Sequence, residues 1–215
     1  TEPAKWAICL DWRSSMNISA TDVKALRDKT GAGFMECKSA LAEADGDAEQ
    51  AITILRKRGL TKAAKRAGRS TEQGVVGSYI HTGGKVGVLI EVNCETDFVA
   101  RTDDFKELVK ELAMHVAATN PQYIRREDVP AATVEHEKGI FRSQLEGQKK
   151  PAHVIDKILE GKLEGYYRDT VLLDQPSIRD SKITINQLVA TTIAKMGENV
   201  TISRFARFKI GEGST

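Results

Sequence analysis

The sequence predicts an α+β protein made of a small three-helix domain, a linker, and a core that combines helices with an antiparallel sheet. Hydrophobic residues recur at helical spacing before residue 60, and the spacing changes to strict alternation after Gly74. A two-glycine turn separates the two alternating segments, as in a β-hairpin. Aromatic residues make up only 6% of the chain, which argues against a β-sandwich core.

Composition restricts the function classes. The 215 residues carry 32 Lys and Arg against 30 Asp and Glu, whereas a protein that binds by bulk phosphate neutralisation would carry a larger basic excess. No apolar run approaches the roughly 18 residues that span a bilayer. Cys9, Cys37 and Cys94 lack the spacing of a zinc site or a disulfide framework. We expect a cytoplasmic protein with no metal and no cofactor.

Residues 1–15 differ from the rest of the chain. They contain both tryptophans, Trp6 and Trp12, and Met16 follows directly. Asp11 interrupts a short apolar run, which argues against a signal peptide. We interpret this segment as a leader outside the fold.

Residues 16–57 predict three short helices. Ser19 begins the first, because a serine followed by an acid three residues later is a capping pattern, and Gly31 ends it. The second runs from about Phe34 to Ala44. The third begins after Asp47 and stops before Gly59. Because three short helices bury only a small core, we interpret this unit as a docking domain.

A basic stretch without any acid covers residues 56–69. One interpretation is a nucleic-acid patch, but the stretch has no aromatic residue for stacking on a base. The favoured interpretation is a solvated linker helix within a linker at residues 58–73. The basic residues are Arg56, Lys57, Arg58, Lys62, Lys65, Arg66 and Arg69.

The core is predicted at residues 74–215 and begins with a hairpin. The strands Val75–His81 and Lys85–Asn93 flank Thr82-Gly83-Gly84, and the second alternates so that one face is buried. An amphipathic helix follows and ends near Asn120. Its apolar positions are Phe105, Leu108, Val109, Leu112 and Val116.

The rest of the core predicts a helical hairpin and one more sheet strand. A helical segment after Pro130, broken at Gly147–Pro151, gives two antiparallel arms over about residues 131–168. We then expect a short strand at Val171–Leu173, a helix at Ile185–Met196 and a final strand at Val200–Ile210.

No catalytic constellation is present. Gly84-Lys85 and Gly161-Lys162 lack both the earlier glycine and the following Ser or Thr of a phosphate loop. The histidines form no metal-binding pair, and no Ser or Cys lies in a nucleophile elbow. The sequence therefore predicts a binding protein and not an enzyme. The histidines are His81, His115, His136 and His153.

Two junctions carry unusual residues. In L-R-D-K-T-G-A-G-F-M-E-C-K-S-A-L, residues 26–41, Phe34 and Met35 follow a Gly-Ala-Gly turn and are either packing residues or an exposed contact. In E-V-N-C-E-T-D-F-V-A-R, residues 91–101, Thr96 or Asp97 caps a helix. Phe98 lies seven residues before Phe105, so helical periodicity allows it to be core; the alternative is an exposed contact.

These two segments resemble the signature regions of the bacterial elongation factor Ts family. The resemblance extends from Met16 to Gly213 and includes G-S-Y-I-H, A-M-H-V-A-A and R-F-A-R-F-K-I-G-E-G. It implies a guanine-nucleotide exchange factor that binds elongation factor Tu in its GDP-bound and nucleotide-free forms. It also implies a ubiquitin-associated-like N-terminal domain, a coiled-coil-like hairpin, and no direct binding of nucleotide, nucleic acid or membrane.

The resemblance also implies roles for residues. Thr96, Asp97, Phe98 and Val99 would insert into the partner's G domain and displace its Mg²⁺, which removes the largest positive charge at the phosphates. His81 matches a histidine that contacts the G domain in larger relatives. The matches to the N-terminal contact region are Leu26, Arg27, Gly31, Gly33, Phe34 and Met35.

Three alternatives stay open at this point. Larger relatives have two related halves in the core and this chain shows one hairpin, so it acts alone or as a homodimer. A different function class is an RNA-binding translation accessory protein that uses residues 56–69. A generic ubiquitin-associated-like adaptor would leave the motif at residues 96–99 unexplained.

Overall fold

A computed structural model describes residues 18–145 and 151–212. The leader predicted for residues 1–15 lies outside this part of the chain. The fold is α+β, and the chain divides into two compact units between Arg58 and Gly59. Each unit has its own hydrophobic core.

The first unit contains helix α1 (Ala20–Thr30), helix α2 (Phe34–Glu43) and the first half of helix α3 (Ala48–Arg66). The predicted caps are confirmed, since the Ser19 hydroxyl accepts from the backbone N–H of Asp22 and Gly31 ends α1 with a φ of 66°. The buried cluster consists of Val23, Leu26, Cys37, Ala40, Leu41, Ala44 and Ala51.

The predicted end of α3 before Gly59 is wrong. The helix continues to Arg66, because a glycine inside a helix costs only about 1 kcal/mol and packing offsets this cost. Gly59 is buried, and a Cβ at this position would lie 3.7 Å from the carbonyl oxygen of Ala190. Ala63, one turn further on, packs against the core of the second unit. The segment predicted as a solvated linker helix is helical to Arg66, but it is not fully solvated.

The second unit contains a three-stranded antiparallel sheet in the order β1-β2-β3. The strands are β1 (Gln73–Ile80), β2 (Val86–Cys94) and β3 (Val200–Lys209). The predicted hairpin turn is confirmed, with φ values of 89° at Gly83 and 68° at Gly84. These positive values explain why the turn uses two glycines.

One face of the sheet is covered by helices. Helix α5 (Asp103–Thr119) packs on β1 and β2, and α8 (Ile185–Met196) packs on α5. The alternation predicted for β2 is confirmed, since every second residue from Val88 to Cys94 is buried against these helices. The opposite face of the sheet has several exposed apolar side chains. The largest buried side chains of this core are Phe105, Ile90, Leu112, Leu172, Ile185 and His115.

The predicted helical hairpin is also confirmed. It consists of α6 (Ala131–Ser143) and α7 (Ala152–Thr170), which contact each other. The Lys162 ammonium donates to the side-chain oxygen of Gln144 at 2.7 Å and lies 5.3 Å from the centre of the Phe141 ring. Most of the predicted break at Gly147–Pro151, namely residues 147–150, lies outside the described residues.

The short strand predicted at Val171–Leu173 is wrong. Val171 forms a single parallel bridge with Tyr123, and the chain then turns into a 3₁₀ helix at Leu172–Asp174, which prevents a longer ladder. The predictions of α8 and β3 are confirmed. Within residues 18–145 and 151–212, no helix is long and apolar enough to cross a membrane.

Candidate functional site

Phe98 is the most exposed phenylalanine side chain that the structure describes. It lies in α4 (Asp97–Ala100), a single helical turn between the end of β2 and the start of α5. The side chain is 77% exposed, so the interpretation of Phe98 as a core residue is wrong. We call residues 95–101 the Phe98 turn.

Thr96 anchors this turn through all of its polar groups. Its backbone N–H and its hydroxyl donate to the two carboxylate oxygens of Glu198, at 3.0 and 2.7 Å. The same hydroxyl oxygen accepts from the N–H of Val99 at 3.4 Å, so Thr96 is the helix cap. The thiol of Cys94 donates to the Thr96 carbonyl, and burial raises the pKa of that thiol so that it keeps its proton.

A second cap explains why Phe98 faces solvent. Thr102 ends α4 and starts α5: its hydroxyl donates to the Val99 carbonyl at 2.8 Å and accepts from the Phe105 N–H at 3.3 Å. The helical period therefore restarts at Thr102, and Phe98 does not share the buried face of Phe105. Ala100 is buried beneath the turn, and Val99 packs against the core.

Asp97 lies next to Phe98 and is also accessible. Its carboxylate pairs with the Arg101 guanidinium at 2.7 Å, one helical turn away. Both side chains are largely in water, where such a pair contributes less than about 1 kcal/mol. Separating Arg101 from the Asp97 carboxylate therefore costs the free protein little stability.

A second bridge holds the start of the turn. The Glu95 carboxylate accepts from the Asn199 backbone N–H at 2.6 Å and pairs with Arg69 at 3.3 Å. The Asn199 N–H, followed by Arg69, lowers the pKa of Glu95, so this carboxylate stays charged at neutral pH. The Asn199 side chain in turn donates to the Arg69 carbonyl at 3.0 Å.

The N-terminal candidates differ in exposure. Phe34 and Met35, at the start of α2, are 46% and 70% exposed, so the interpretation of both as buried packing residues is wrong. Leu26 is only 2% exposed and belongs to the core of the first unit, so its side chain is not available on the surface. The remaining N-terminal candidates are all exposed: Arg27, Gly31 and Gly33.

Comparison with known proteins gives the same family for this chain by a family model and by individual relatives. The family model described as "Elongation factor TS" matches residues 38–212. An elongation factor Ts from Fervidobacterium nodosum is 59% identical over 197 residues, which cover 92% of this chain and all of the relative. The elongation factor Ts of Koribacter versatilis is 57% identical over 92% of this chain and 90% of its own length. The chain belongs to the elongation factor Ts family.

Membership makes this chain a translation elongation factor, with a role in protein biosynthesis. The match to the elongation factor Ts family model includes the Phe98 turn and the segment that carries Glu198. It begins after Phe34 and Met35, so the exposed pair at the start of α2 lies outside the matched residues.

The structure does not bring His81 to the Phe98 turn. His81 follows β1 and is exposed, and its Nδ1 lies 3.0 Å from the Tyr79 hydroxyl oxygen. The strand register pairs Gln73 with Cys94 and Ile80 with Gly87, so His81 and Phe98 lie at opposite ends of the sheet. Seven residues of strand correspond to roughly 23 Å.

Two of the seven basic side chains in the segment at residues 56–69 form ion pairs with acids. Arg58 pairs with Glu43, and Arg69 pairs with Glu95. Arg56, Lys57 and Lys62 also have interaction partners. No specific observation therefore favours RNA binding by this segment.

Sequence reasoning missed Glu198, Asn199 and Glu95, which hold the Phe98 turn in place. Glu198 lies 102 residues from Thr96 in sequence, and no local pattern links the two positions. The only local signal is Gly197, which ends α8 with a φ of 80° and thereby directs the next residues towards the turn. Among the residues that the structure describes, no three His, Cys, Asp or Glu side chains are placed to hold a metal ion.

Proposed function

We propose that this chain is a guanine-nucleotide exchange factor that binds elongation factor Tu and accelerates the release of GDP. The Phe98 turn inserts into the partner's G domain, where Asp97 and Phe98 disturb the Mg²⁺ site. Loss of Mg²⁺ removes the largest positive charge that holds the nucleotide phosphates. GDP then leaves, GTP reloads the partner, and the factor itself catalyses no covalent step.

One observation carries this proposal: a large apolar side chain that is 77% exposed on a turn whose base is fixed. An exposed phenyl ring contributes little to folding, but it is a typical interface anchor when it enters a pocket. Because Thr96, Val99 and Ala100 are already held, the turn loses little conformational freedom on binding. Pre-organisation of this kind increases the affinity that one aromatic anchor supplies.

Exchange requires that the factor and GDP weaken each other's binding. The two ligands bind different surfaces of one partner, and linkage makes their mutual effect equal in size. Only groups that contact the strained form of the partner supply this coupling. We assign the coupling to Asp97 and Phe98, because both are accessible and the Arg101 pair that occupies Asp97 is weak.

We propose a docking role for the first unit. Phe34 and Met35 form an exposed apolar pair beside the Gly31–Gly33 turn, which lets a partner approach closely. A second contact on the same chain raises the effective concentration of the Phe98 turn at its target. The ubiquitin-associated-like character of this unit is part of the same proposal.

His81 is proposed as a separate contact, at the other end of the sheet from Phe98. Its Nδ1 is engaged with Tyr79, which orients the ring and leaves its other nitrogen for a partner. The Nε2 atom is the group that would make this contact.

A homodimer through the open face of the sheet is a further proposal. The salt bridge between Glu91 and Arg204, at 2.6 Å, neutralises the charges on this face, so two copies meet without like-charge repulsion. Sedimentation equilibrium at micromolar concentration tests it: a dimer that Leu89→Glu converts to a monomer supports the interface, and a wild-type monomer contradicts it. The exposed apolar side chains here are Val76, Ile80, Leu89 and Phe208.

The exchange activity is tested with a fluorescent GDP analogue bound to elongation factor Tu. We expect substoichiometric amounts of this chain to accelerate release of the analogue into excess unlabelled GDP, since an exchange factor turns over. Release at the spontaneous rate, with the factor folded by circular dichroism, contradicts the proposed function.

A further inference from the structure

The loop between α8 and β3 makes the principal side-chain contacts to the start of the Phe98 turn. Glu198 accepts two hydrogen bonds from Thr96, and the backbone N–H of Asn199 donates to Glu95. These bonds join two segments that lie about 100 residues apart in sequence. The bonded residues are Thr96 and Glu95, which precede the exposed Phe98 in the chain.

The backbone on both sides of Glu198 holds it in position to bond Thr96. It directly follows Gly197, whose left-handed backbone ends α8, and it precedes Asn199, which is buried and starts the approach to β3. Glu198 is therefore held on both sides by ordered backbone. Its two oxygens each take one donor of the same residue, which fixes Thr96 in orientation as well as in position.

We propose that Glu198 is the positioning residue of the exchange site and holds Thr96 so that Phe98 projects at a fixed angle. This inference rests on the proposed function of the Phe98 turn. Glu198 does not contact the partner. It sets the geometry of the residues that do.

Loss of a positioning residue changes the orientation of the Phe98 turn and leaves the rest of the protein folded. Without Glu198 the Thr96 N–H and hydroxyl lose their acceptors, while Val99, Ala100 and the Thr102 cap still hold the remainder of α4. The turn then samples several orientations, and fewer encounters place Phe98 productively. Docking through the first unit does not depend on this bond.

The test compares Glu198→Ala with the wild type by titrating elongation factor Tu carrying the fluorescent GDP analogue. We expect the maximal rate of release to fall roughly tenfold, the loss expected for an interface anchor, while the half-saturating concentration changes less than about threefold. Glu198→Gln should recover part of the rate, because its amide oxygen still accepts one of the two Thr96 donors.

The matched control is Glu164→Ala. Glu164 also accepts two hydrogen bonds, both from Arg126 at 2.7 Å, but it lies on α7 in the helical hairpin. We expect it to leave the maximal rate unchanged. An equal loss of rate in both variants would show a general effect of removing a surface carboxylate and would overturn the proposal.

A double-mutant cycle decides whether Glu198 acts through Phe98. Glu198→Ala should cause no further loss of rate in the Phe98→Ala background, because the side chain it positions is gone. Additive losses contradict the positioning role.

Amide hydrogen exchange of the free factor separates this inference from the proposed function. Glu198→Ala should increase exchange at Thr96 and leave the amides of β2 protected. Unchanged exchange at Thr96 overturns the positioning role even if the wild type is an active exchange factor. If the wild type fails to release GDP but Thr96 loses protection as expected, the proposed function fails while the positioning of the turn stands.

Discussion

Phe98 and Thr96 show how a side chain is kept in water by its neighbours in sequence. Thr96 and Thr102, six residues apart, cap two successive helices, and the short α4 between them turns Phe98 away from the core. The sequence contained both threonines, but spacing alone could not show that the helix restarts. Periodicity counts Phe98 and Phe105 on one face only if the helix is continuous.

Among single residues, the buried His115 should make the stability of the protein depend on pH. His115 is fully buried on α5, its Nε2 lies 2.9 Å from the Gln175 side-chain oxygen, and its Nδ1 has no hydrogen-bond partner among the described residues. Burial lowers the pKa of His115 below its usual value of 6.5. The folded protein therefore holds the neutral ring, whereas the unfolded chain takes up a proton below about pH 6.5.

The free energy of unfolding should consequently fall as the pH drops below about 6.5, by up to about 1.4 kcal/mol per pH unit from this residue. Urea unfolding at a series of pH values measures the slope. His115→Gln retains a side-chain donor towards Gln175 but does not titrate, so its slope should be smaller than that of the wild type. Equal slopes would contradict the assignment.

At the scale of elements, β1 and α5 approach each other closely at Gly77. A Cβ on Gly77 in β1 would lie 2.2 Å from a methyl carbon of Val109 on α5. Val109 is β-branched and stiff in a helix, so it yields little. Gly77→Ala should destabilise the protein by about 1–3 kcal/mol, as overpacked cores do, measured by urea unfolding.

Gly139→Ala is the matched control for this substitution. Gly139 lies inside α6 with nothing within 4 Å of its Cβ position, so alanine should stabilise the protein by up to about 1 kcal/mol. Val109→Ala in the Gly77→Ala background should restore part of the loss by removing the clashing methyl. A Gly77→Ala protein as stable as the wild type would contradict this packing.

Most elements were predictable because their periodicity is strong and their ends carry local signals. Ser19, Gly31 and the two glycines of the hairpin turn are examples in which one residue decides a boundary. The end of α3 was not predictable, because Gly59 is a stop signal that tertiary packing against Ala190 overrides. Contacts between distant segments, such as Thr96 with Glu198, leave no trace in local spacing.

At the scale of the whole molecule, we expect the two units to contribute separately to the binding of elongation factor Tu. A chain that begins at Gly59 should keep the second unit folded, because that unit has its own core. Its affinity for nucleotide-free elongation factor Tu should fall roughly a hundredfold, since the tethering supplied by the first unit is lost. Circular dichroism and a binding titration measure the two effects.

Two outcomes of this truncation would contradict the separate roles expected for the two units. An unfolded chain would show that the second unit depends on the first, and unchanged affinity would show that the first unit does not dock. The double variant Phe34→Ala and Met35→Ala in the full chain is the control. It should weaken binding while both units stay folded, because these side chains are exposed.

The role proposed for Phe98 in GDP release is tested by the substitution Phe98→Ala. We expect release of the fluorescent GDP analogue to slow roughly tenfold or more, because truncation of an interface anchor commonly costs about 2 kcal/mol or more. The stability of the free factor should change by less than about 0.5 kcal/mol, because the ring is 77% exposed. The control Ile178→Ala, which truncates another exposed apolar side chain, should leave release unchanged. Release at the wild-type rate by Phe98→Ala, at factor concentrations well below saturation, would show that Phe98 does not drive GDP release.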